Sequence, residues 1–133
     1  MIVVDASALV DFLAPTVVDA ALDDRLLADA SLHAPHLVDV EVVNALRRLS
    51  LRSTLGPDRA ADAMLDLDDL PITRYPHGAL LPRAWELRHT LPIQDGVYVS
   101  LAEALDAPLV TCDARLAGAP GIRASVEVYS RGA

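Results

Sequence analysis

Four short segments of this chain each end an apolar run with an acid. They are Ile2-Val3-Val4-Asp5, Leu37-Val38-Asp39-Val40-Glu41, Leu91-Pro92-Ile93-Gln94-Asp95 and Leu109-Val110-Thr111-Cys112-Asp113. A solvated acid sits on an exposed face, so carboxylates at the ends of buried elements need another reason to be there. Gathered in one place they would repel one another, and a divalent cation is the usual relief.

The segments between them set the fold class. Met1–Val4 reads as a short buried strand, and Ser7 is placed to cap a helix that runs to Leu13 and stops before Pro15. A helical stretch from about Val17 to Ala30 follows, then an extended piece from Leu32 to Ala34. From His36 to Ser53 the period is helical, with Val38, Val42, Ala45, Leu46 and Leu49 on one stripe. Gly56-Pro57 marks a turn into a further helix, Ile72–Tyr75 reads as a strand, and Gly78–Thr90 as a helix. Asp95 opens a helix through Leu105, Leu109–Thr111 is a buried strand, Asp113–Leu116 a short helix and Ser125–Tyr129 a last strand. Strands alternating with helices predict an α/β fold: a mostly parallel central sheet of about four or five strands, flanked by helices on both faces. Ligands of such sheets bind outside the carboxyl ends of the strands, where Asp5 and Asp113 would point.

At 133 residues the chain is expected to form one domain, 1–133, and its 53% apolar content leaves a surplus for an oligomeric or partner interface. Its longest apolar stretches are interrupted by Asp, Pro or Arg, so no membrane span is expected. With no signal-peptide pattern and one cysteine, Cys112, a reducing cytoplasm is the expected location. The net charge of -8 disfavours direct binding to nucleic acid unless bound cations bridge an acidic pocket to phosphate, and it suits a basic protein partner. Lysine is absent, which excludes a P-loop and Schiff-base chemistry.

Glu41 lies in the long helix one turn before Asn44, and at about 100° per residue Glu41, Arg48 and Arg52 share a stripe. A cluster of Asp5, Glu41, Asp95 and Asp113 would hold one or two Mg²⁺ or Mn²⁺ ions, which prefer carboxylate oxygens. Such ions grip a phosphodiester and activate water. Ser7 or Thr111 would hydrogen-bond a carboxylate, and Arg48 or Arg52 would contact phosphate. The same residues also permit plainer roles. Asp95, Asp113 and Ser7 suit helix caps, and Glu41 suits a solvated position paired with Arg48. His33, His36, His77 and His89 lack zinc-site spacing and are expected in surface or capping roles, whereas Cys112, Trp85 and Tyr98 are expected in the core. The acidic fourth helix, with Asp58, Asp62, Asp66, Asp68 and Asp69, reads as a solvated face.

At these positions the chain resembles the PIN domain family, and more narrowly its VapC-type toxins. The opening Ile2-Val3-Val4-Asp5-Ala6-Ser7 matches the family's start, Pro35 to Arg48 its acid-bearing helix, Asp95-Gly96-Val97-Tyr98-Val99-Ser100 its third acid segment, and Leu109 to Leu116 its closing motif. The resemblance covers essentially the whole chain. It implies a PIN-like three-layer sandwich with catalytic acids Asp5, Glu41, Asp95 and Asp113, metal held by Asp5, Asp95 and Asp113, and Asn44 as a companion. It also implies a Mg²⁺- or Mn²⁺-dependent endoribonuclease that cuts RNA, forms a homodimer, and is silenced by a basic antitoxin. A PIN nuclease of RNA processing, or a weakly active module used for partner binding, are the alternatives. Two departures stand out: Gly96 replaces the usual Ala, at a helix cost of up to about 1 kcal/mol, and Gln94 stands where many relatives carry an aromatic or other apolar residue.

Overall fold

The computed structural model describes residues 1–17, 19–28 and 31–129. Strands β1 (Ile2–Val4), β2 (Leu32–Pro35), β3 (Ile72–Tyr75), β4 (Leu109–Thr111) and β5 (Val126–Val128) form one sheet in the order β3-β2-β1-β4-β5. Every pairing is parallel, so the sheet is wholly rather than mostly parallel. Flanking it are α1 (Ala6–Leu13), α2 (Ala20–Ala28), α3 (Leu37–Leu51), α4 (Pro57–Asp69), α5 (Leu81–Glu86) and α6 (Ile93–Leu105). One group of helices is built on α1, α3 and α4 packed together. The other is the close pair α5–α6, whose α6 lies against β1, β2 and β4.

The central strands have no polar alternation because both of their faces are covered. Ile2, Val3, Val4, Leu109 and Val110 are all fully buried, each contributing about 1.5–3 kcal/mol relative to exposure. The chain steps outward from β1 to β2 to β3, then returns to place β4 on the other side of β1. The strand order therefore reverses between β1 and β4, and in an open parallel sheet a crevice forms at the carboxyl ends of such a pair. Asp5 directly follows β1, and its backbone N–H donates to the Val110 carbonyl at 3.2 Å, which stitches the two strand ends together.

Several elements differ from expectation. The helix expected over 17–30 begins at Ala20, behind an Asp19 carboxylate that accepts from the Leu22 N–H at 3.1 Å; Val18, Asp29 and Ala30 lie outside the described residues. The stretch 78–90 is a 3₁₀ turn (Gly78–Leu80) followed by the short α5. It ends because the Leu87 N–H turns back to the carbonyls of Arg83 and Ala84, tightening the last turn. Trp85 is 60% exposed, with the Arg88 guanidinium 4.4 Å from its ring centroid, and is not a core residue. His33 is buried in β2 rather than at the surface, held between the Tyr75 hydroxyl at 2.7 Å and the Ser31 hydroxyl at 3.0 Å. His77 does cap, accepting from the Leu37 N–H at the start of α3 at 2.9 Å. Cys112 is half-buried just past β4. No helix among the described residues is long and apolar enough to cross a membrane.

Candidate functional site

Asp5 is where β1 becomes α1. Its extended backbone (φ -93°, ψ 173°) ends the strand, and its carboxylate caps the helix by accepting the Ala8 N–H at 3.0 Å. The cap is Asp5 and not Ser7, because the helix starts immediately after the strand and leaves Ser7 inside its first turn. Ser7 is used differently. Its hydroxyl donates to Asp5 Oδ1 at 2.6 Å and accepts the Cys112 N–H at 2.9 Å, bridging the β1 and β4 ends. Thr111, fully buried, donates its hydroxyl to Asp5 Oδ2 and accepts the Asp113 N–H at 2.9 Å. Three donors thus hold a carboxylate only 6% exposed. Burial pushes Asp5 above the ordinary carboxylate range, the hydrogen bonds from Ser7, Thr111 and Ala8 pull it back, and the nearby Asp113 charge raises it again.

Asp95 stands in the first turn of α6, which begins at Ile93; it does not open the helix as expected. Its half-buried carboxylate accepts no hydrogen bond among the described residues. Burial raises it above the ordinary range, then Asp113; Arg115 lowers it, and Glu41 and Asp5 raise it further. The field at Asp95 therefore contains all three other acids. Asp113 follows β4 and caps a 3₁₀ turn (Ala114–Leu116) by accepting the Arg115 N–H at 3.0 Å. The Arg115 guanidinium grips both Asp113 oxygens, at 2.6 Å from Nη2 and 3.0 Å from Nε. Arg115 is 79% exposed, so this clamp is screened by water and readily exchanged.

Glu41, on α3, pairs with Tyr98 rather than with Arg48: the Tyr98 hydroxyl donates to Glu41 Oε1 at 2.6 Å. Tyr98 is 2% exposed, and burial, then the hydrogen bond and charge of Glu41, hold its phenol far above the ordinary range, so it stays a donor. Tyr98 and Arg115 are the two site residues that pattern did not reveal. The available signals were Tyr98's place three residues after Asp95, on the same side of α6, and Arg115's place two residues after Asp113. Ser7, Glu41, Asn44 and Arg48 line one cavity of about 180 Å³ between α1 and α3. A larger cavity of about 790 Å³ lies away from the acids, beside the Arg74–Asp39 ion pair (2.7 Å) and the exposed Met64 and Leu65 of α4.

Asp5 and Asp113 thus stand at the adjoining ends of β1 and β4, joined through Thr111, and the charges of both, with that of Glu41, reach Asp95. A model of the PIN domain matches residues 2–122 of this sequence. The chain belongs to the PIN domain family. This PIN domain is 43% identical over 127 residues to ribonuclease VapC1 of Mycobacterium tuberculosis, covering 95% of this chain and 96% of that protein. It is 40% identical over 130 residues to ribonuclease VapC12 of the same organism, covering 98% of this chain and all of that protein, 100%. Its fold matches the crystal structure of VapBC2 from Rickettsia felis bound to a promoter DNA fragment, with a TM-score of 0.69 at 16% identity over 98% of this chain and 100% of that one.

The donor set suits a hard divalent cation: carboxylate oxygens, two of them held above their ordinary range by burial and by mutual repulsion. Among the described residues no three Asp, Glu, His or Cys side chains stand together as a group that could hold a metal ion. Mg²⁺ does not require three, since it keeps several waters and takes one or two carboxylates.

Proposed function

We propose that this PIN domain is a Mg²⁺- or Mn²⁺-dependent endoribonuclease of the VapC type, the toxin of a toxin–antitoxin pair. The observation that carries this reading is that Asp5 and Asp113 stand at the adjoining ends of β1 and β4, bridged by the Thr111 hydroxyl, with Asp95 near enough to feel both charges. Capping accounts for Asp5 and Asp113 and the Tyr98 hydroxyl for Glu41, but none of these roles explains why Asp95 lies half-buried within the field of the other three, which a cation or a proton transfer would use. The near-full-length similarity to proteins named ribonuclease VapC1 and VapC12 supports RNA as substrate.

Asp5, Asp95 and Asp113 would hold the cation. Bound there, it supplies Lewis-acid polarisation of a phosphodiester and a more acidic water. Asp5 is pre-oriented by Ser7, Thr111 and the Ala8 N–H, so little reorganisation remains for it on binding. Glu41 Oε1 is occupied by Tyr98, which leaves Oε2 as the acceptor for a proton from the attacking water. Arg115, exposed beside Asp113, would be free to contact the substrate phosphate if Asp113 held the cation. Arg48 and Asn44, on the cavity rim, contact the strand.

Similarity to a chain from the VapBC2 complex and to one from a toxin–antitoxin complex of Klebsiella pneumoniae (TM-score 0.69, 16% identity, 98% of this chain and 99% of that one) supports a partner reading. The net charge of -8 suits a basic antitoxin. Exposed Val40, Leu51, Met64 and Leu65, and exposed Leu81 and Trp85, provide apolar area for that partner and for a homodimer, both in the cytoplasm.

Purified protein incubated with total RNA should cut it with Mg²⁺ or Mn²⁺ and stop with EDTA, and Asp5→Ala and Asp95→Asn should each lose at least about 100-fold in rate. Full activity of Asp5→Ala, or no cleavage by the wild type with any divalent cation, overturns the proposal.

A further inference from the structure

The arginines of this chain are not equivalent. Arg25, Arg74, Arg83 and Arg115 each hold a carboxylate at 2.6–2.8 Å, Arg123 faces Glu103 at 3.8 Å, Arg59 donates to the Pro15 carbonyl, and Arg88 lies on Trp85. Arg47 and Arg48, exposed on α3, and Arg52, exposed at its C-cap, make no ion pair among the described residues. In a chain of net charge -8, uncommitted positive charge is scarce, and here three guanidiniums stand on or at the end of one helix, of which Arg48 and Arg52 line cavities.

Arg48 and Arg52 also stand on one path. The cavity that opens at Ser7 and Glu41 shares Val10, Ala45 and Arg48 with a second cavity of about 180 Å³ that continues between α1 and α3 to Arg52 and Thr16. The shared lining makes the two one trough. Arg48 lies two turns beyond Glu41, about 10 Å along the helix axis, and Arg52 about 6 Å further. That last step is of the order of the spacing between neighbouring phosphates of an extended strand. One acid, Asp11, lines the far part of the trough and is itself engaged within the chain.

Resting on the nuclease reading above, we propose that the α1–α3 trough is the track of the single-stranded RNA flanking the cut, with Arg48 and Arg52 on successive phosphates. A duplex does not fit cavities of this size. No aromatic side chain lines the trough, so bases find no stacking platform there. Contacts to phosphates position a strand without reading it. The trough therefore contributes affinity evenly across sequences, and choice of cut site is made elsewhere.

The test is binding of a fluorescein-labelled single-stranded RNA of about 12 nucleotides to the full chain in Ca²⁺ buffer, read by anisotropy against salt, with intact RNA verified on a gel. Arg48→Ala and Arg52→Ala should each weaken binding about 3- to 10-fold at low salt, for RNAs of several sequences alike, and each should lower the log–log salt slope by about 0.7. Arg52→Lys should restore most of the slope. Arg123→Ala, at the opposite end of the sheet, should match the wild type. RNAs trimmed from one end only should lose their sensitivity to Arg52→Ala when the trimmed end is the one in the trough. An Arg52→Ala protein with wild-type affinity and slope, in a wild type that does cut RNA, overturns the track and leaves the nuclease reading intact. RNA bound through Arg48 and Arg52 but left uncut with Mg²⁺ and with Mn²⁺ overturns the nuclease reading instead.

Discussion

Tyr98→Phe removes one hydroxyl and little else. The ring is 2% exposed and Phe fills the same volume, so packing is kept. What is lost is the 2.6 Å donor to Glu41 Oε1. A hydrogen bond to a charged group contributes about 1.5–3 kcal/mol. Glu41 is half-buried and water can take the vacated place, so the lower end applies, about 1–1.5 kcal/mol. The same loss frees the Glu41 carboxylate to rotate, and partners that orient a catalytic group typically cost 10- to 100-fold when removed. The assay is a double-mutant cycle of wild type, Tyr98→Phe, Glu41→Ala and the double variant in urea unfolding, with kcat and KM measured for Tyr98→Phe. The single change should destabilise by about 1 kcal/mol and lower kcat with KM unchanged. In the Glu41→Ala background the buried phenol has already lost its acceptor, and removing it should be neutral or stabilising. A coupling energy below about 0.3 kcal/mol, or a wild-type kcat in Tyr98→Phe, refutes the positioning role.

Asp5 is raised above its ordinary value in the folded state, so between the ordinary and the raised value the native form binds more protons than the unfolded one, and its contribution to stability falls as pH rises. In EDTA, Asp5→Asn should therefore gain on the wild type in urea midpoint as pH climbs from about 4 to 7.5; a variant midpoint that falls relative to the wild type over that range contradicts the burial of this charge. Thr111→Val keeps the shape but removes the donor to Asp5 and the acceptor of the Asp113 N–H, and should cost about 2–4 kcal/mol in urea unfolding; a loss under about 0.5 kcal/mol would mean that water reaches this pocket. Gly96→Ala would set a Cβ 3.1 Å from Ala84 Cα and Cβ. Overpacking of about 1–3 kcal/mol against a helix gain of about 1 predicts a net loss of roughly 0–2 kcal/mol by thermal unfolding, whereas a full gain of about 1 kcal/mol would deny the close approach of α5 to α6.

Gly96 also shows how far local pattern reaches. Its helix cost is visible in the sequence, but the reason for it is not: α5 presses Ala84 against that face of α6. Gln94, the other departure, is exposed near the start of α6, where an apolar side chain has nothing to cover. Trp85 shows the opposite failure, since its size suggests the core while the fold turns that face of α5 outward.

What the amino-acid order determined alone is the alternation of buried strands with amphipathic helices, and the two acids, Asp5 and Asp113, that close strands. Both are local: side-chain period reports which face is covered, and an acid after an apolar run is read from adjacent residues. Tertiary structure decided who meets whom. Thr111 reaches Asp5 across 106 positions and Tyr98 reaches Glu41 across 57, because the strand order reverses between β1 and β4 and α6 lies against the sheet beside them. Pairings at that separation depend on which strands become neighbours, and no local period encodes that choice.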